Sequence, residues 1–149
     1  MTLEEEIKQK KFLSPQIKAY LNIQFTGNWL SALSNKFFAK FELTNQQYNV
    51  LRILRGHSPI PLTLASIQGR MLDKSSNVTR LIDKLVKRGF VTSERNNENK
   101  RKVDILITPK GLEFMAEIDK ELPEQENILA QLTDKEADLL NELLDRIRG

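Results

Sequence analysis

Between Lys74 and Lys102 the chain carries two sets of side chains suited to an anionic partner with hydrogen-bonding edges. The first set is Lys74, Ser75, Ser76, Asn77, Thr79, Arg80 and Lys84, short donors and acceptors interleaved with long cations. Short polar side chains approach base edges closely, and an arginine one turn on reaches a guanine edge or a phosphate. The second set is Arg95, Asn99, Lys100, Arg101 and Lys102, cations that suit phosphates or the deep negative potential of a narrow minor groove. Each set also has a plainer use. Serines at a helix start act as caps, and basic hairpins keep a surface hydrated.

Other chemistry finds no foothold. With one His and no Cys there is no disulfide framework, no thiol switch and no Cys-based zinc site, so neither metal nor cofactor is expected. His57 reads as a loop residue beside Gly56, with no carboxylate or second His near it. No nucleophile–base pair, phosphate-binding glycine loop or Gly-x-Ser-x-Gly motif is present, so an enzyme is not expected. Phe25, Trp29 and Phe37, with Tyr48 and Arg52, are candidates for a ligand pocket, although aromatic stripes at helical spacing also serve as core or interface. Arg52 and Arg55 suit a ligand carboxylate, a phosphate or plain solvent.

Positioning the two polar sets requires a scaffold, and the apolar spacing predicts one. Ile17, Leu21, Phe25, Trp29, Leu33, Phe37 and Phe41 recur at every fourth position after Ser14-Pro15, a helix of about 25 residues. Its apolar face exceeds what a small domain covers, which suggests a second chain. Thr44 and Gln47 form a capping box with Leu43 and Tyr48 as a staple, and Gly56 is expected to end that helix. Thr63 caps a short helix with Leu64, Ile67 and Met71. Asp73 or Ser75 is expected to cap the next helix, about Ser75 to Arg88. Its buried stripe is Val78, Leu81, Ile82, Leu85 and Val86, and Gly89 stands just past its end. Phe90–Ser93 and the alternating Val103, Ile105 and Ile107 make a hairpin. Thr108-Pro109 starts a helix carrying Leu112, Met115 and Ile118, which meets Pro123 and is drawn as continuing through Ile128 and Leu129. Thr133 and Glu136 box the final helix, whose stripe is Leu139, Leu140, Leu143, Leu144 and Ile147.

A short helix, a tight break, a second helix with a polar outer face and a hairpin with a basic tip, in that order from Leu62 to Gly111, describe a winged helix-turn-helix. The expected fold is mainly α (α+β), in three parts: an N-terminal dimerisation helix region (1–42), a winged lobe (43–111) and C-terminal dimerisation helices (112–149). Ile17, Leu21, Leu139, Leu140, Leu143, Leu144 and Ile147 are the expected dimer contacts.

Charge follows the same division. Of the 149 residues, 1–61 hold eight basic and four acidic side chains, 62–111 eleven and five, and 112–149 four and eleven. A basic middle and an acidic end direct an anion to the winged lobe. Glu4, Glu5 and Glu6 stand where a signal peptide has cations, and no apolar run approaches the roughly 20 residues of a membrane span. A soluble cytoplasmic protein is the expectation.

From Leu43-Thr44 and Gln47-Tyr48, through Leu72–Leu85, Lys87-Arg88-Gly89-Phe90-Val91 and Asn99-Lys100-Arg101, to Ile105–Gly111, the chain resembles the MarR family of bacterial transcription regulators. That resemblance implies a homodimer formed through the terminal helices and a palindromic operator in double-stranded DNA. It also implies repression, relieved by a small aromatic or phenolic effector bound between the dimerisation helices and the winged lobe. It places Ser75, Ser76, Asn77, Thr79 and Arg80 on the DNA-contacting helix and Arg101 at the wing arginine of the minor groove. One departure is Asn99, where the family commonly has an acid that orients the arginine; Glu98 is a candidate substitute. A winged-helix module for protein–protein assembly, without DNA, is the alternative of a different class.

Overall fold

A computed structural model of the chain describes residues 1–122 and 127–149. Thr2 and Glu5 form a capping box on a single helical turn, α1 (Leu3–Glu6). Ser14 accepts from the Ile17 N–H at 3.2 Å and Pro15 occupies the first position of α2 (Pro15–Ala39). Phe41 therefore lies just beyond the helix it was assigned to. The Thr44–Gln47 box opens α3 (Asn45–His57). Gly56 does not end α3, because the helix runs one residue further. His57 is thus not a loop residue: its Nδ1–H donates to the Ile53 carbonyl at 3.0 Å.

Thr63 caps α4 (Leu64–Arg70), and α5 (Val78–Lys87) leads through Gly89 (φ +78°) into the hairpin of β1 (Val91–Arg95) and β2 (Val103–Ile107). The strands are antiparallel, in register from Val91 opposite Ile107 to Arg95 opposite Val103. Leu62 pairs with Ile105 through two backbone hydrogen bonds of 3.0 and 2.9 Å, which ties the segment before α4 to the hairpin. Thr108 caps α6 (Pro109–Asp119), and the Thr133–Glu136 box opens α7 (Asp134–Arg148). The helix after the hairpin stops at Asp119; Ile128 and Leu129 belong to a separate 3-10 turn, and Pro123 lies outside the described residues.

The core centres on α3, which packs against α2, α4, α5, β2 and α6. Val50 and Leu51 from α3, Ile67 from α4, Leu85 from α5, Ile105 from β2 and Met115 and Ile118 from α6 are fully buried. Apart from Leu3, every described buried apolar residue lies between Phe37 and Ile118. The apolar faces of α2 and α7 stay open: Trp29 is 47% exposed, Leu139 55% and Ile147 67%. Among the described residues no helix is long and apolar enough to cross a membrane.

Candidate nucleic-acid interface

The helix carrying the first polar set begins later than its residue types suggested. Asp73 Oδ1 accepts from the Ser75 N–H at 2.9 Å and from the Ser75 hydroxyl at 2.6 Å. Those two bonds, the hydroxyl's first, hold the Asp73 carboxyl below the usual aspartate range. Gln68 Nε2 donates to the carbonyls of Lys74 and Ser76 at 2.8 and 3.0 Å, tying this segment to α4. Lys74–Ser76 is therefore a turn. Asn77, not Asp73 or Ser75, caps α5, its Oδ1 accepting from the Arg80 N–H at 3.2 Å.

Within α5 the two faces separate. Val78, Ile82 and Leu85 are buried and Leu81 partly so, whereas Thr79, Arg80, Asp83, Lys84 and Lys87 are exposed. Val86, assigned to the buried stripe, stands at its edge and is exposed. Of the residues before the helix, Lys74 donates to the Gly69 carbonyl, Ser75 is exposed but bonded to Asp73, and the Ser76 hydroxyl is shut off from solvent. Its burial removes Ser76 as a base reader in this conformation.

The far end of α5 is held by contacts that spacing does not reveal. Arg88 donates to the Glu42 and Phe41 carbonyls at 2.6 and 3.1 Å, and its guanidinium lies over the rings of Phe90 and Phe114. Lys110 Nζ donates to the Arg88 carbonyl at 3.0 Å, satisfying part of the helix C-terminus. The Thr108 hydroxyl donates to the Gly89 carbonyl at 2.7 Å and accepts from the Gly111 N–H at 3.0 Å. Helix α5 is thereby fixed to both the α2–α3 corner and α6. A basic residue before a C-terminal glycine was the one local signal for Arg88.

In the hairpin turn Asn96 is the organiser. Its Oδ1 accepts from the Glu98 and Asn99 N–H groups, both at 2.9 Å, and its Nδ2 donates to Asp104 Oδ2 at 2.9 Å. Asn99 accepts from the Arg101 backbone N–H at 3.1 Å, so it shapes the turn and leaves the guanidinium alone. Arg95, Asn99, Lys100, Arg101 and Lys102 are exposed, and their cations form no ion pair among the described residues.

The five pocket candidates serve different purposes. Phe37 is buried in the core, Tyr48 stacks on Phe38 at 4.1 Å, Phe25 is half-buried, and Trp29 and Arg52 are exposed. A cleft of about 290 Å³ is lined by none of them. Arg55 is not simply solvated: it pairs with Asp119 at 2.6 Å, joining α3 to α6. All seven expected dimer contacts keep some exposure in the single chain, with Leu21 and Leu144 the most covered.

The MarR family model matches residues 43–103. An HTH-type transcriptional regulator of Bacillus cereus is 30% identical over 120 residues, covering 80% of this chain and 74% of its own. A MarR transcription factor from Planctomyces limnophilus shares 33% identity with a TM-score of 0.68, over 93% of this chain and 98% of that one. A mutant MarR from Escherichia coli complexed with operator DNA has a TM-score of 0.76 over 100% of both chains at 22% identity, a likeness of fold.

Proposed function

The chain belongs to the MarR family of transcriptional regulators, which are DNA-binding proteins and not enzymes, and on that premise we propose that it is a cytoplasmic repressor acting as a homodimer on a palindromic operator. Residues 43–111 form the DNA-contacting lobe, while 1–42 and 112–149 join the two copies. Each copy lays α5 in a major groove, with Asn77, Thr79 and Arg80 toward base edges and Lys74, Ser75 and Lys84 toward the backbone. The hairpin carries Arg101 toward the adjacent minor groove, with Arg95, Lys100 and Lys102 on phosphates. A small aromatic effector lowers operator affinity from a site between the outer helices and the winged lobe, with Phe25 and Trp29 its nearest aromatic candidates. The observation that carries this reading is the division of α5: Val78, Ile82 and Leu85 buried on one face, and an opposite face of exposed polar and basic side chains beside a hairpin whose cations form no ion pair among the described residues.

Selection of genomic fragments by the purified full chain, followed by footprinting and sedimentation, tests it. The expected result is a dimer protecting two inverted half-sites about 10 base pairs apart, or a multiple of that. A stable monomer that retains no fragment even at low salt overturns it.

A further inference from the structure

We propose that Asp104 and Asn96 are positioning residues for Arg101: they hold the hairpin turn so that its guanidinium meets DNA already placed, the task that the family resemblance gives to an acid at position 99. The order of the turn is a property of the chain alone, whereas its effect on operator affinity rests on the regulator reading above.

The turn needs an anchor. The last strand pair is Arg95 opposite Val103, and none of residues 96–102 is apolar, so hydrophobic burial does not order them. Hydrogen bonds do. The Asn96 N–H donates to the Lys102 carbonyl and the Lys102 N–H to the Asn99 carbonyl, both at 2.9 Å. Residues 99–102 are thus a four-residue turn with Lys100 and Arg101 at its centre, and Asn99 Oδ1 closes it on the Arg101 N–H at 3.1 Å. Asparagine performs that bond as well as aspartate does. Neither Asn99 nor Glu98 neutralises the guanidinium, which keeps its whole charge for a narrow groove.

The acid enters from the strand instead. Asp104 is a poor choice on local grounds: aspartate is disfavoured in strands, and its register partner is Glu94, a like charge on the same face. Its Oδ2 accepts from Asn96 Nδ2 at 2.9 Å in a partly buried position. That bond fixes which way the Asn96 amide faces, because an ionised carboxylate accepts and cannot donate. Asn96 Oδ1 is thereby aimed at the Glu98 and Asn99 N–H groups, each 2.9 Å away. Asp104, Asn96, Asn99 and Arg101 form an unbroken series of bonds from β2 to the arginine. A turn without that series has to be ordered on binding, at an entropic cost.

Backbone amide relaxation on the free full chain, with operator titrations, tests this. Asn96→Ala should loosen residues 98–101 on the ps–ns timescale and weaken operator binding about tenfold, the entropy of ordering about one residue's backbone. In an Arg101→Ala background the same substitution should cost no more than about twofold, because the residue it places is gone. Asn96→Asp sets two carboxylates against each other and should loosen the turn. Adding Asp104→Asn faces one donor with one acceptor again at the wild-type net charge, and should restore both order and affinity. Circular dichroism checks that each variant is folded. Turn order unchanged by Asn96→Ala, a loss that persists in full without Arg101, or an exchanged pair no better than Asn96→Asp overturns the proposal. A wild-type chain that binds no operator fails the regulator reading, and amide relaxation in the same variants still decides whether Asp104 and Asn96 order the turn.

Discussion

The rings of Phe90 and Phe114 lie parallel, 4.2 Å between centroids with 4° between planes. Phe90 follows α5 and Phe114 sits in α6, so the stack joins the end of α5 to the helix leading toward the C-terminus. Arg88 caps the arrangement at 4.9 and 5.4 Å from the two centroids while its N–H groups hold the carbonyls closing α2. One side chain therefore sets the orientation of α5 against two other elements.

Arg88→Met keeps much of the apolar stem but loses two charge-assisted hydrogen bonds and the cation–π contact. Urea unfolding should show a loss of about 2 kcal/mol, given roughly 1.5–3 for a hydrogen bond to a charged group and partial exposure here. Operator affinity should also fall, with the slope of log affinity against log salt unchanged, because the residue orients the helix and neutralises no phosphate. A reduced slope would place Arg88 on the DNA.

Glycines give a paired test. A Cβ on Gly111 would stand 2.4 Å from the Phe90 carbonyl and 2.7 Å from Ile107 Cγ1, both hard neighbours. Gly111→Ala should cost about 1–3 kcal/mol by overpacking, despite alanine's better helix propensity. Gly56, inside α3, has nothing within 4 Å of a Cβ. Gly56→Ala should stabilise by about 0.5–1 kcal/mol. Melting temperatures moving in the same direction would contradict the packing of α6 on Phe90.

Arg101→Ala should weaken binding to every operator variant and lower the salt slope by about 1, as for a lost phosphate-region cation. Arg80→Ala should change which bases are preferred. Asn77 needs two substitutions, because its Oδ1 is the α5 cap. Asn77→Ala should cost about 1 kcal/mol of stability. Asn77→Ser keeps a cap, so a changed base preference in that variant alone reports contact with DNA. Equal losses on all sequences from Arg80→Ala and Asn77→Ser would remove both from base reading.

These variants also mark where the sequence was legible. The boxes Thr44–Gln47 and Thr133–Glu136, the stripe Val78–Ile82–Leu85 and the positive φ of Gly89 are local, decided within a few residues. The start of α5 was not, because Asp73, Ser75 and Asn77 are all competent caps. The choice was made by Gln68 reaching across from α4 to the Lys74 and Ser76 carbonyls. Arg88 meets carbonyls 46 and 47 residues away, and Leu62 pairs with a strand 43 positions on. Contacts of that separation depend on how α3 packs the lobe. Asn49 reads as an ordinary polar helix residue until the loop before α5 closes over it.

The turn before α5 should respond to acid. The Ser75 hydroxyl and N–H lower the Asp73 pKa in the folded chain, so their contribution is fully present above the ordinary aspartate value of roughly 3.9 and is lost as pH falls through the lower folded value. The Ser75 amide resonance, followed from pH 6 downward, should therefore titrate below that ordinary value while α5 amides beyond Arg80 hold. Asp73→Asn should leave the Ser75 shift flat. A midpoint at or above the ordinary value would mean the bond contributes nothing.

Helix α7 has fifteen residues and buries none of them in the single chain. Helices of that length are marginal in water when nothing covers them. Its stripe of Leu139, Leu140, Leu143 and Ile147 is more than a third exposed throughout, as is Ile17 on α2. Leu143→Glu should therefore do two things at once. Sedimentation should shift from dimer to monomer at micromolar concentration, and helical circular dichroism should drop by about the share of one such helix. Operator affinity should fall far more than for any single wing variant, since one lobe then binds one half-site without its linked partner. A wild-type chain that sediments as a monomer with α7 fully helical would show that another part of the same chain, or nothing, covers that stripe.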